Sequence, residues 1–145
     1  GLLRRQRQMC IRDRIQTVQD LNLESHIEFL DNLPQTEIRD LLNKSKLLIH
    51  TSKFETFGLV AAEANAMGVP VLTTNSGSLL EIVENNKNGY YSDNLIDGNV
   101  NNFVKELLNN KDKFDEIMMN CLEKSKGYSW ANTATEIENL YKTFV

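Results

Sequence analysis

A chain of 145 residues, 41% hydrophobic and 25% charged, has the make-up of one ordinary globular domain. It has no run of about 18 apolar residues to span a bilayer, and its arginine-rich opening is not expected to be a secretory signal. The formal net charge of −4 is uneven, because Arg4, Arg5, Arg7, Arg12 and Arg14 crowd into residues 1–14, while residues 15–145 carry 11 basic against 19 acidic side chains, a balance that argues against nucleic acid as a partner.

In chain order, the opening "GLLRRQRQMCIRDR" resembles a translated sequencing-adapter peptide, "RRQRQMCIRD" in particular. Residues 1–14 are therefore set aside as a non-native or disordered segment, and 15–145 are expected to form part of a longer protein. Residues 15–24 predict a short helix with Ile15, Val18 and Leu21 on one stripe. "HIEFL" at 26–30 alternates as a short strand, and Thr36 caps a helix to about Lys44 with Ile38, Leu41 and Leu42 inward. "KLLIH" at 46–50 is a continuous apolar run, expected as a strand buried on both faces. A loop at 51–56 leads into a helix from about Phe57 to Met67, stopped by Gly68, and "VPVLTT" at 69–74 is the next strand, with Pro70 near its start. A turn at "NSGS", a short helix at "LLEIVEN" and a strand at "NGYYS" follow. Helices are then predicted at 99–109, 111–126 and through "YSWANTATEIENLYKTF", with Phe103, Leu107, Phe114, Ile117, Met118 and Leu122 at core spacing. Alternation of strand and helix makes a parallel sheet the economical architecture, an α/β fold with ligands bound beyond the carboxyl ends of the strands.

The loop at 51–56 lies at such an end, and the E-x7-E pair Glu55 and Glu63 brackets the start of the following helix. The first amides of a helix lack partners and carry partial positive charge. With no side chain at Gly58, they are expected to receive a phosphate. Glu55 would repel that phosphate and should accept hydrogen bonds from hydroxyls beside it, and Glu63, about a turn and a half along, approaches from another side. Two carboxylates around an anion site suit a nucleotide-sugar. Taken alone, the pair fits a solvated or capping role at least as well. His50 ends the apolar strand beside this loop, and His26 reads as surface or structural. Cys10 and Cys121 stand far apart, form no metal-type pair and suit a reducing compartment. No D-x-D, Walker A loop, G-x-G-x-x-G or Ser-His-Asp grouping appears, and no metal or cofactor is called for.

Taken together, "SKFETFGLVAAEANAMGVPVLTTNSGSLLEIVENNKNGYY" resembles the donor-binding core of retaining glycosyltransferases of family four, of GT-B fold. The likeness runs from about residue 20 to the C-terminus, including "IEFLDNLP" and "YSW". It implies a Rossmann-like parallel sheet flanked by helices, the C-terminal half of a GT-B enzyme truncated at its N-terminus, with 15–145 as a partial nucleotide-sugar-binding domain. It implies Glu55 as the catalytic contact to the donor sugar and the amides at Phe57, Gly58 and Leu59 around the diphosphate. Glu63 falls where the ribose hydroxyls are held, Leu30 where the base meets backbone, and Gly77 in a later glycine turn. Thr56, Thr51 and "SGS" depart from the family pattern. Thr56 is expected to cap the helix through its hydroxyl, while "SGS" weakens the assignment of Gly77.

The implied substrate is a UDP- or GDP-linked sugar, used with retention and without an obligatory metal. The implied acceptor is a glycan, lipid or small molecule held by an upstream domain, and the intact parent would be cytoplasmic or peripheral at the inner membrane face. The arginine and lysine that neutralise the diphosphate in that family are not seen. Arg39 is the one arginine after residue 14 and Lys53 a candidate helper, so this chain alone is expected to bind donor weakly and turn nothing over. A nucleotide-sugar epimerase of GT-B fold and a non-catalytic nucleotide-sugar-binding scaffold stay open as alternatives.

Overall fold

The computed structural model describes the backbone of residues 2–144 and the side chains from Ile11 to Phe144. The chain divides into two compact units, residues 1–34 and 35–145. In the first, helix α1 runs Leu2–Asp20, so it covers the segment set aside above and stops short of the predicted residue 24. Asn22 ends it by adopting φ 54, and the Leu23 amide closes back on the Val18 carbonyl at 3.0 Å. The strand expected at 26–30 does not form. Residues 27–30 have no ladder partner among the described strands, and Ile27, Phe29 and Leu30 remain exposed. Alternation alone does not make a strand without a neighbouring edge.

The second unit is an α/β arrangement. Its elements are α2 (Gln35–Lys44), β1 (Leu48–His50), α3 (Leu59–Ala66), β2 (Val71–Thr74), α4 (Leu79–Ile82), β3 (Gly89–Ser92), α5 (Gly98–Asn109), α6 (Lys111–Ser125) and α7 (Trp130–Lys142). The strands lie in the order β1-β2-β3, each pair parallel, with Ile49 opposite Leu72 and Leu72 opposite Tyr90. In α2 the buried line is Ile38 and Leu42, four residues apart, whereas Leu41 faces water. α2 begins at Gln35, so Thr36 lies inside its first turn rather than at the cap. β1 is half-covered rather than buried on both faces, with Ile49 58% exposed, because β1 is an edge of the described sheet.

One core cluster joins Leu42, Ala61, Ala64, Val71, Leu79 and Val83 beneath α3 and α4, and a second joins Phe103, Leu107, Ile117 and Cys121 between α5 and α6. Phe114 packs against the second, as the helical spacing predicts. Met118 and Leu122 instead approach α3, where a Cβ on Gly68 would meet Met118 Cγ at 3.0 Å. Gly68 thus ends α3 at φ 73 and admits α6. Asp97, Asn110 and Ser129 cap α5, α6 and α7 by accepting from the amides of Val100, Lys113 and Asn132.

Buried asparagine side chains lock β3 to α3. Asn88 donates to Asn65 Oδ1 at 2.8 Å and to the Ile82 carbonyl at 2.7 Å, and accepts from the Glu84 amide at 2.7 Å. Asn88→Ala strands all three partners and is expected to destabilise the fold by about 3 kcal/mol, at about 1 kcal/mol or more per orphaned group. A lower urea midpoint at unchanged slope would show it. Nearby, the ammonium groups of Lys87 and Lys124, at 2.7 and 2.9 Å, hold the Glu84 carboxyl down to about 2. This stabilisation is present above the ordinary glutamate value and is lost as pH falls toward 2. Because the groups are part-exposed, Lys124→Met should cost only about 0.5 kcal/mol, read as an acid-unfolding midpoint at slightly higher pH.

Candidate functional site

Three hydroxyls at and beyond the end of β2 fix the loop that follows β1. Thr73 Oγ1 donates to the His50 carbonyl at 3.0 Å, Thr74 Oγ1 to that of Ser52, and Ser76 Oγ to that of Lys53 at 2.9 Å. These bonds satisfy loop carbonyls that no strand partner takes up, and the run "LTTNS" carries the signal that sequence reasoning passed over. Gly77 closes the same junction. At φ 49, its missing Cβ would lie 2.5 Å from the Glu55 carbonyl oxygen, so no other residue fits without moving the loop.

Glu55 is the best-anchored member of the site. Its Oε1 accepts from the amides of Thr56 at 3.0 Å and Phe57 at 3.4 Å. The amides of Gly58, Phe57 and Thr56, in that order of effect, hold its carboxyl below the ordinary glutamate value. Glu55 is thus tied to the turn that precedes α3 and is not the cap of that helix. α3 starts two residues later than predicted, at Leu59, and its N-cap is Gly58 at φ 70 with no side-chain cap, so Thr56 is not the cap. Gly58 is also buried, with Leu79 Cδ2 and Ile82 Cδ1 each 2.9 Å from the place its Cβ would occupy. Its bareness serves packing and a left-handed turn, rather than opening the amides to a ligand.

His50 adds a partner that the spacing did not supply. Its Nε2 lies 3.5 Å from Glu55 Oε2, and its buried Nδ1 has no partner among the described residues. Lys53 is exposed and makes no ion pair among the described residues. The remaining expected residues fall into two clefts, because α3 presents different faces. Leu59 and Ala62 join Thr56, Phe57, Ser78, Glu81 and Trp130 around a cleft of about 560 Å³. Glu63, Ala66 and Met67 join Gln35 and Arg39 around one of about 260 Å³. Glu63 Oε1 accepts from Gln35 Nε2 at 3.1 Å, which fixes the carboxylate at the rim of the smaller cleft. Glu55, Gly58 and Gly77 line neither cleft, and Leu30 belongs to the first unit. Of the two glutamates expected around one ligand, Glu63 lines the smaller cleft from α3, while Glu55 precedes that helix and lines neither cleft.

A loop pinned at the carboxyl edge of a parallel sheet, with a carboxylate just before the following helix, sits within a stretch that matches a known family over most of the chain. Residues 12–129 match the family described as Glycosyl transferases group 1. The chain belongs to that family. This group 1 glycosyltransferase sequence is 31% identical over 118 residues to an uncharacterized glycosyltransferase of Methanocaldococcus jannaschii, a match covering 81% of the chain and 34% of the relative. It is 30% identical over 122 residues to a D-inositol 3-phosphate glycosyltransferase of Corynebacterium efficiens, covering 84% of the chain and 29% of the relative. Among solved structures, Anabaena HepE in complex with UDP and glucose superposes with a TM-score of 0.81 at 25% identity, over 94% of this chain and 37% of that one. The group 1 chain therefore spans about a third of the length of these relatives. Its α/β fold, a parallel sheet flanked by helices, is that of GT-B glycosyltransferases. Among the described residues, no helix is long and apolar enough to cross a membrane.

Proposed function

We propose that this chain is the donor-binding portion of a retaining glycosyltransferase of family four, which moves a hexosyl unit from a UDP- or GDP-linked sugar to an acceptor. The observation that carries the reading is Glu55, held on the Thr56 and Phe57 amides of the turn that leads into α3. In this reading those turn amides, beside the helix start, receive the diphosphate. In this reading the diphosphate displaces the Glu55 carboxylate, which turns to the sugar hydroxyls and supports positive charge growing on the sugar. Glu63 holds the ribose from the smaller cleft, and Gly77 keeps the later turn against the loop. Anabaena HepE, solved with UDP-glucose and superposing with a TM-score of 0.80, supports UDP as the carrier. Turnover requires the acceptor domain of the parent protein, and residues 1–14 stand outside the working fold.

Calorimetry of the chain with UDP and with GDP tests this, and a scaffold without nucleotide binding would give no heat with either. Glu63→Ala is expected to weaken UDP by about tenfold, the loss of one hydrogen bond to a charged group. An unchanged affinity would remove the ribose assignment.

A further inference from the structure

Beyond Phe57 and Leu59, the larger cleft carries aromatic and acidic side chains that the donor reading leaves unused. Its volume of about 560 Å³ falls among small-molecule pockets, which run from about 300 to 1,000 Å³. Aromatic faces of Phe57, Tyr128 and Trp130 line it, and the Trp130 ring is 90% exposed rather than packed. Glu81, also on the lining and exposed, makes no ion pair among the described residues. Among the described residues no lysine or arginine lines the cleft, so it offers a phosphate no cationic side chain. Flat apolar faces, one unpaired carboxylate and no cation describe a site for an uncharged molecule that is apolar on one face and rich in hydroxyls at its edge. A pyranose ring has both. Its C–H face stacks on the electron-rich aromatic face, while its hydroxyls donate to a carboxylate in a charge-assisted bond.

We propose that this cleft seats a neutral pyranose unit of the acceptor, with Trp130 as the stacking platform and Glu81 as the hydroxyl acceptor, an assignment that rests on the glycosyltransferase reading above. The position agrees with that use, because Thr56 and Phe57 line the cleft and directly follow Glu55 in the chain. A sugar here lies beside the residue assigned to the donor.

Trp130 is the single tryptophan of the sequence, so its emission reports on this cleft alone. The chain is titrated with the methyl pyranosides of glucose, mannose, galactose and N-acetylglucosamine, and with glucose 6-phosphate. At least one neutral glycoside is expected to give a saturable blue shift, with glucose 6-phosphate at least tenfold weaker. Glu81→Ala, at an exposed position, should weaken that glycoside by about tenfold with an unchanged circular dichroism spectrum. Saturation with none of the four glycosides overturns the proposal, as does a Glu81→Ala chain of unchanged affinity or tighter binding of the sugar phosphate. Calorimetry with UDP is run on the same sample. Glycoside binding without UDP heat removes the donor reading and leaves the sugar site standing, while UDP heat without glycoside binding does the reverse.

Discussion

Glu55→Ala in the full-length enzyme is expected to lower kcat by about 100- to 1,000-fold while leaving UDP affinity equal to or tighter than that of the parent. The first part follows from losing the charge that the proposed reading places beside the reacting sugar. The second follows from geometry particular to this chain. Glu55 Oε1 sits on the amides of Thr56 and Phe57, and if the diphosphate binds there as proposed, the carboxylate competes with the substrate. Removing it frees those donors. Separate measurement of kcat and of the UDP dissociation constant splits the two effects. A variant that loses UDP binding with kcat intact would make Glu55 a binding residue rather than a catalytic one. Glu55→Gln sharpens the test, since it keeps the shape and the hydrogen bonds but removes the charge. His50→Ala bears on the same group. With Nε2 only 3.5 Å from Glu55 Oε2, His50 restrains the carboxylate, and its loss should reduce kcat less than loss of Glu55 itself.

What the sequence made legible tracks how locally each feature is determined. Helices α5 and α6 fall within a residue of expectation because Asp97 and Asn110 cap them and Phe103, Leu107 and Ile117 repeat at helical spacing. Strands β2 and β3 were readable because apolar runs end at Asn75 and Ser92 in a chain that alternates with helices. The failures concern partners distant in sequence. Residues 27–30 alternate properly, yet no edge pairs with them, and β1 is half-open where its apolar run predicted full cover. At the site, spacing located Glu55 and Glu63 on the right loop and helix. It did not foresee that the carboxylate turns onto its own neighbouring amides, or that Gly58 is filled against by Leu79 and Ile82 from α4. Those outcomes depend on rotamers and on a helix about twenty residues downstream. No one-dimensional period encodes them.

Gly77→Ala is expected to destabilise the protein by about 3 kcal/mol and to weaken catalysis through the same movement. A methyl there would stand 2.5 Å from the Glu55 carbonyl oxygen, and the backbone is held at φ 49. Both penalties apply, left-handed strain and overpacking against a backbone atom that no rotamer change can withdraw. The turn must therefore shift, and Ser76, which holds the Lys53 carbonyl, shifts with it. That loosens the loop carrying Glu55, so kcat should fall in step with stability. Gly98→Ala supplies the control, because a Cβ at Gly98 meets nothing within 4 Å. Lying at the start of α5, it is expected to be neutral or to stabilise by about 0.5–1 kcal/mol through a less flexible unfolded chain. Urea denaturation of the two variants gives opposite signs if the junction of the loop and the glycine turn is as tight as the structure has it. A Gly77→Ala protein as stable as its parent would show that the two segments do not touch, and the positioning of Glu55 would then need another cause.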